Sequence, residues 1–116
     1  MALLLLAGCG AQSEESTYRQ IHAEEAATLM EKESSYIILD VRTAEEYSEY
    51  HIEGSTNIPL GNLDSIVQFI TDKSTPLFVH CLSGGRSARA VAFLKSKGYT
   101  DVHDIGGISA YRGETV

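Results

Sequence analysis

Short apolar runs alternate with amphipathic segments along most of this chain. Residues 36–41 form a nearly continuous apolar run, and residues 77–79 form a second one with Pro76 at its front edge. Such runs indicate buried strands, and a strand that is apolar on both faces is typical of a parallel sheet. Weaker patterns of the same kind predict further strands over residues 18–21, 56–58 and 100–105.

Apolar residues at helical spacing occupy the intervals between these runs. They predict helices over residues 22–32, 60–72 and 87–98, and a short helical segment over residues 108–112. The second of these helices would carry an apolar stripe made of Leu63, Ile66, Val67 and Ile70. Because strands alternate with helices, we expect an α/β fold in which helices cover both faces of a parallel sheet.

The segment Cys-Leu-Ser-Gly-Gly-Arg-Ser, residues 81–87, joins the strand at 77–79 to the helix that follows. Between Cys81 and Arg86 lie Leu82, Ser83, Gly84 and Gly85. A tight loop that leads into a helix N-terminus directs several backbone N–H groups toward one point, which makes a cradle for an anion. A thiol at that point, beside Arg86, is expected to have a lowered pKa and to be largely thiolate near neutral pH. The alternative is an ordinary buried cysteine at a strand end.

Composition and charge limit the classes of partner. With 116 residues, of which 43% are apolar, the chain is long enough for one domain with its own core. Its formal net charge of −7 argues against nucleic acid or an anionic membrane surface as the main partner. The two cysteines, Cys9 and Cys81, are far apart, and neither lies in a cluster with metal-ligand spacing, so we expect no metal site.

The first 17 residues differ in composition from the rest of the chain. Residues 1–8 are apolar, and Leu6-Ala7-Gly8-Cys9 resembles a bacterial lipobox, in which a signal peptide is cleaved before a lipid-modified cysteine. No Lys or Arg precedes the apolar run, so we interpret residues 1–8 as a partial lipoprotein-type signal and residues 9–17 as a flexible tether. This interpretation places the protein outside the cytoplasm, lipid-anchored to the bacterial cell envelope. A hydrophobic tail without signal function would instead leave it in the cytoplasm.

Three ordered motifs resemble those of the rhodanese (sulfurtransferase) family. Residues 81–87 resemble the family's active-site loop, residues 40–47 with 51–59 resemble its N-terminal signature, and residues 102–111 resemble its C-terminal signature. The resemblance extends over residues 18–116. It implies a three-layer α/β/α rhodanese-like domain with a five-stranded parallel sheet.

The chemistry that this resemblance implies is a sulfur transfer through Cys81. The Cys81 thiolate would attack a sulfane sulfur in thiosulfate or a related donor and become a persulfide, and a thiol or cyanide would then accept the sulfur. The backbone of the loop from Leu82 to Ser87 would hold the small anionic donor, and Arg86 would pair with its oxyanion. The resemblance implies no cofactor, and we expect a monomer.

Three polar residues are expected to support the loop rather than to react. Asp40 lies at or near the end of a buried strand, and Arg42 and Glu46 are four residues apart, a spacing that suits an ion pair. The alternative for Asp40 and Arg42 is a contribution to the electric field at the site. His51 beside Cys81 would suit a general base, but the resemblance makes it a residue that holds a loop.

Two other functions are compatible with a cysteine and an arginine around an anion cradle. A cysteine-dependent phosphatase or an arsenate reductase usually has five residues between its cysteine and its arginine, whereas this chain has four. The cradle is therefore expected to be too small for phosphate. A non-catalytic persulfide carrier needs the same Cys81 persulfide as the enzyme does. The sequence therefore leaves carrier and enzyme as alternatives.

Overall fold

A parallel sheet of five strands forms the centre of the structure, a computed structural model that describes residues 18–20, 30, 35–111 and 114–116. The strands are β1 (Tyr18–Gln20), β2 (Ile37–Asp40), β3 (Thr56–Asn57), β4 (Leu77–Cys81) and β5 (Val102–Gly107). Their order across the sheet is β1-β5-β4-β2-β3, and every pairing is parallel. The predicted α/β class and five-stranded parallel sheet are therefore confirmed.

The central strand is β4, and all of its residues are buried. Its side chains alternate between the two faces of the sheet, as strand geometry requires. Phe78 packs with Ile38 and Ile105 in one apolar cluster, whereas Leu77 and Val79 belong to a second, larger cluster. Apolar clusters on both faces explain why the strand reads as a continuous apolar run.

Helices and 3-10 turns flank the sheet. They are α1 (Ala44–Glu49), a 3-10 helix over Leu60–Ser65, α2 (Ile66–Phe69), α3 (Gly85–Ser96) and a 3-10 turn over Ile108–Ala110. Helix α3 begins earlier than the predicted start at residue 87. It buries Ala90, Val91 and Leu94 in the larger apolar cluster, so the helix is firmly attached to the core. The segment of residues 81–87 that leads into it is called the cysteine loop below.

The prediction of one regular helix over residues 60–72 is wrong. That segment is a 3-10 helix followed by one short α-helical turn, which ends at Phe69. Asn62 has φ −113° and ψ 17°, which interrupts the helical backbone. Of the predicted stripe, Leu63, Ile66 and Ile70 are buried, whereas Val67 is 39% exposed. The spacing of three residues between Leu63 and Ile66 fits a 3-10 helix as well as an α-helix, so the pattern could not distinguish the two there.

Strand β5 lies two residues later in the chain than the strand predicted over residues 100–105, and it ends with Gly106 and Gly107. Its register against β4 shifts between Val79 and His80, which marks a β-bulge. After the bulge, Gly107 lies opposite Cys81. A Cβ atom at Gly107 would lie 2.5 Å from the carbonyl oxygen of Leu82, so only glycine lets β5 pass this close to the cysteine loop.

Several predictions fall outside the part of the chain that the structure describes. They concern the leader over residues 1–8, Cys9, the tether, and the helix over residues 22–32 except Met30. Met30 is helical and 4% exposed, and it packs in the apolar cluster that contains Phe78. Of the helices described, none is both long and apolar enough to cross a membrane.

Replacement of Gly107 by alanine should destabilise the fold. Gly107→Ala is expected to lower the free energy of unfolding by about 1–3 kcal/mol, because the added methyl group meets backbone atoms that cannot move independently. Gly61→Ala is the matched control, since no atom lies within 4 Å of its Cβ position, and it should change stability by less than about 0.5 kcal/mol. Urea denaturation measures both free energies of unfolding. Equal stability of the two variants would contradict the close approach of β5 to the backbone of Leu82.

Candidate active site

The cysteine loop connects the buried end of β4 to the first turn of α3. Cys81 is the last residue of β4 and is fully buried, with 0% of its surface exposed. Gly84 is the N-cap residue of α3 and has a left-handed backbone with φ 113° and ψ −21°. Most residues cannot adopt this conformation without strain, so the glycine determines how the loop turns into the helix. The predicted order of strand, tight loop and helix is what the structure shows.

The sulfur of Cys81 is the point toward which the loop backbone converges. Its Sγ atom accepts hydrogen bonds from the backbone N–H groups of Gly84 at 3.0 Å and Ser87 at 3.3 Å. Burial alone would raise the pKa of the thiol, but the N–H and hydroxyl of Ser87 and the N–H groups of Gly84 and Ser83 outweigh it. The pKa of Cys81 is therefore lower than that of an ordinary cysteine, because each of these donors stabilises the thiolate.

Behind Ser87 lies a buried carboxylate that sequence reasoning did not assign to the site. The Ser87 hydroxyl lies 2.9 Å from Oδ1 of Asp104 and 3.0 Å from the carbonyl oxygen of Gly84. Asp104 is 1% exposed, and the same oxygen accepts the backbone N–H of Gly106 at 3.0 Å. The hydroxyl has a single proton, so Asp104, the Gly84 carbonyl and the Cys81 sulfur compete for it, and Asp104 holds the hydroxyl beside the sulfur. In the sequence, the only indication of this contact was the position of Asp104 within a predicted strand, because a buried carboxylate needs a hydrogen-bond partner.

Arg86 forms an ion pair with Glu46 of α1. Its Nη1 and Nη2 atoms lie 2.8 and 3.0 Å from the two carboxylate oxygens, and each side chain is 28% exposed. The hydrogen bond from Arg86, supported by the backbone N–H of Thr43, lowers the pKa of Glu46 to about 2. The structure therefore places Arg86 beside the cysteine loop, as expected, but with its charge already neutralised.

Asp40 and Arg42 form a second, fully buried ion pair. The Nη2 atom of Arg42 lies 2.7 Å from Oδ2 of Asp40, and the two side chains are 1% and 0% exposed. Arg42 also donates to the carbonyl oxygen of Tyr50, and the amide group of Asn57 donates to the carbonyl oxygens of Asp40 and Arg42. The expected pair between Arg42 and Glu46 is wrong, since each group has another partner. These bonds tie β2 to the segments before and after α1.

His51 contacts α1 and the C-terminal residue. Its Nδ1 atom lies 2.8 Å from the carbonyl oxygen of Tyr47, and the two rings stack with centroids 3.8 Å apart. The backbone N–H and carbonyl groups of His51 exchange hydrogen bonds with Val116 at 2.8 and 2.7 Å. These contacts attach loops to each other, and none of them is directed at the Cys81 sulfur. Within the described residues, no cluster of His, Cys, Asp and Glu side chains could hold a metal ion.

Removal of the Ser87 hydroxyl should raise the pKa of Cys81. In a Cys9→Ser background, Ser87→Ala is expected to shift the pH profile of alkylation by iodoacetamide to higher pH, because the thiolate loses one donor. Alkylation at pH 7 should become about threefold to tenfold slower, which corresponds to the loss of one hydrogen bond. Ser96→Ala, at the exposed end of the same helix, is the control. An unchanged profile for Ser87→Ala would show that the hydroxyl has no part in ionising the thiol.

Comparisons with known proteins agree with this geometry. A family model described as the rhodanese-like domain matches residues 22–114. The thiosulfate sulfurtransferase PspE of Escherichia coli is 37% identical over 71 residues, which cover 60% of this chain and 68% of PspE. The thiosulfate sulfurtransferase GlpE of Pseudomonas fluorescens is 31% identical over 98 residues, which cover 84% of this chain and 87% of GlpE.

A solved structure shows the same fold. It is described as a rhodanese with anions from E. coli, and it superposes with a TM-score of 0.68 at 32% identity, covering 71% of this chain and 98% of that one. The match of the family model over most of the chain includes the cysteine loop, both signatures around it and all strands from β2 to β5. The chain therefore belongs to the rhodanese family, as its three sequence motifs indicate.

Proposed function

We propose that this chain is a sulfurtransferase that moves a sulfane sulfur from thiosulfate or a related donor to a thiol or cyanide. The observation that carries the proposal is the Cys81 sulfur, which accepts N–H hydrogen bonds from Gly84 and Ser87 at the start of α3. These bonds favour the thiolate, which is the nucleophilic form of cysteine. Membership of the family, and relatives named as thiosulfate sulfurtransferases, support the same conclusion.

In the first half of the proposed reaction, Cys81 takes the sulfur from its donor. The thiolate attacks the sulfane sulfur of thiosulfate, and a bond forms between Sγ and that sulfur. The bond between the two donor sulfurs breaks, and sulfite leaves with its electron pair. The product on the protein is a Cys81 persulfide anion, so charge and atoms balance without an external oxidant or reductant. The loop N–H groups would stabilise the anionic persulfide as they do the thiolate.

In the second half, an acceptor removes the outer sulfur of the persulfide. A thiolate or cyanide attacks that sulfur, a new bond to the acceptor forms, and the Sγ–S bond breaks to restore the Cys81 thiolate. Two separate half-reactions through a covalent intermediate predict ping-pong kinetics. In the first step Cys81 is the nucleophile, and in the second step it is the leaving group. In both steps the loop N–H groups would stabilise the negative charge on its sulfur.

Loading and turnover of Cys81 test the proposal. After exposure of the Cys9→Ser protein to thiosulfate, mass spectrometry should show the addition of one sulfur atom, and repeated turnover should follow with cyanide or a small thiol. Cys81→Ser should lose both results, because serine cannot form a persulfide, and circular dichroism should show that the variant is folded. Retention of normal turnover by Cys81→Ser would show that the mechanism is wrong.

The same experiment separates the two alternatives. A protein that is loaded once but does not turn over would be a persulfide carrier. Hydrolysis of an aryl phosphate without sulfur transfer would indicate a phosphatase. The loop contains only four residues between Cys81 and Arg86, and Arg86 is already paired with Glu46, so we expect no phosphate turnover.

A further inference from the structure

The guanidinium group nearest the cysteine loop has an internal partner. Arg86 follows the loop glycines directly, and both of its terminal nitrogens are hydrogen-bonded to the carboxylate of Glu46. An anion that approaches Cys81 therefore meets a neutralised pair rather than a free positive charge. To bind Arg86 with full strength, the anion must displace a carboxylate that is held at short distance.

The Glu46 carboxylate is held in position to pair with Arg86, because the start of its own helix also binds it. Its Oε1 atom accepts the backbone N–H of Thr43 at 2.9 Å, and the Thr43 hydroxyl accepts the N–H of Glu46 at 3.2 Å. This reciprocal arrangement is a capping box at the start of α1. The Glu46 carboxylate thus connects the start of α1 to Arg86 beside the cysteine loop. Because its pKa is lowered, it is ionised throughout the neutral range.

Helix α1 is attached to the rest of the molecule mainly by polar contacts. None of its residues is buried. Besides the pair between Glu46 and Arg86, the Tyr47 hydroxyl donates to the carbonyl oxygen of Ser55 at 2.6 Å, and the Tyr47 ring stacks on His51. Because Tyr47 holds the helix independently of Glu46, the ion pair is not needed to keep α1 in position. This leaves a different role open to Glu46.

We infer that Glu46 is a specificity-determining residue that weakens the binding of doubly charged oxyanions at the cysteine loop. It acts through Arg86 as a built-in competitor for the donor. The same effect would weaken the binding of sulfite, the doubly charged product, and so speed its release. The site should therefore prefer dianionic donors over donors of lower charge less strongly than a site with an unpaired arginine would. This inference rests on the proposed function only in naming thiosulfate and sulfite.

Protection of Cys81 by sulfate tests the inference without any turnover. Sulfate is an unreactive dianion, and the rate of Cys81 alkylation by iodoacetamide in the Cys9→Ser protein reports its binding. Glu46→Gln should bind sulfate about threefold to tenfold more tightly, because the charge is lost while glutamine can still complete the capping box. Glu45→Gln removes the same charge from the next position of α1 and should change binding less than about twofold.

Steady-state kinetics give a second readout that a purely structural role would not produce. Glu46→Gln should lower the KM for thiosulfate and strengthen inhibition by sulfite, while kcat stays equal or falls. A residue that only positions Arg86 would give the opposite result, with weaker sulfate protection and a higher KM. That result, or a lack of sulfate protection in both proteins, would overturn the inference. If no variant turns over thiosulfate, the proposed function fails, but sulfate protection still decides the role of Glu46.

Discussion

Hydrogen bonds from backbone N–H groups to the Cys81 sulfur are the interaction on which the candidate site depends. The sulfur is fully buried, and burial of a charged group is unfavourable unless donors compensate it. Gly84 turns the chain so that its own N–H and that of Ser87 reach the sulfur. Gly107 lets the neighbouring strand pass close beneath the loop. The lowered pKa of Cys81 is thus a consequence of backbone geometry that two glycines make possible.

Arg42 and Arg86 both lie in ion pairs. Arg42 is matched by Asp40 in the interior, and Arg86 is matched by Glu46 nearer the surface. The buried pair organises the segments that surround α1, because removal of either partner would leave an uncompensated charge inside the protein. Stabilisation of the thiolate therefore comes from fixed dipoles at the sulfur, whereas the ion pairs shape the loops and moderate how strongly an outside anion is attracted.

The sequence was informative where the signals are local. The strand, loop and helix that surround the cysteine could be predicted, because the apolar run, the paired glycines and the helical spacing are adjacent in the chain. The ion pairs could not be predicted in the same way. Glu46 and Arg86 are 40 residues apart, and the four-residue spacing pointed instead to a pair between Arg42 and Glu46. The contact of Asp104 with Ser87 spans 17 residues and likewise depends on how α3 packs against β5.

A direct titration of the cysteine thiol tests the central claim most clearly. Ultraviolet absorbance of the thiolate can be followed against pH in the Cys9→Ser protein, with the Cys9→Ser, Cys81→Ser protein as the blank. The hydrogen bonds to the sulfur predict a transition below the value of about 8.5 that is usual for an unperturbed cysteine. A transition at or above that value would contradict the account, because it would mean that burial outweighs the N–H groups directed at Cys81.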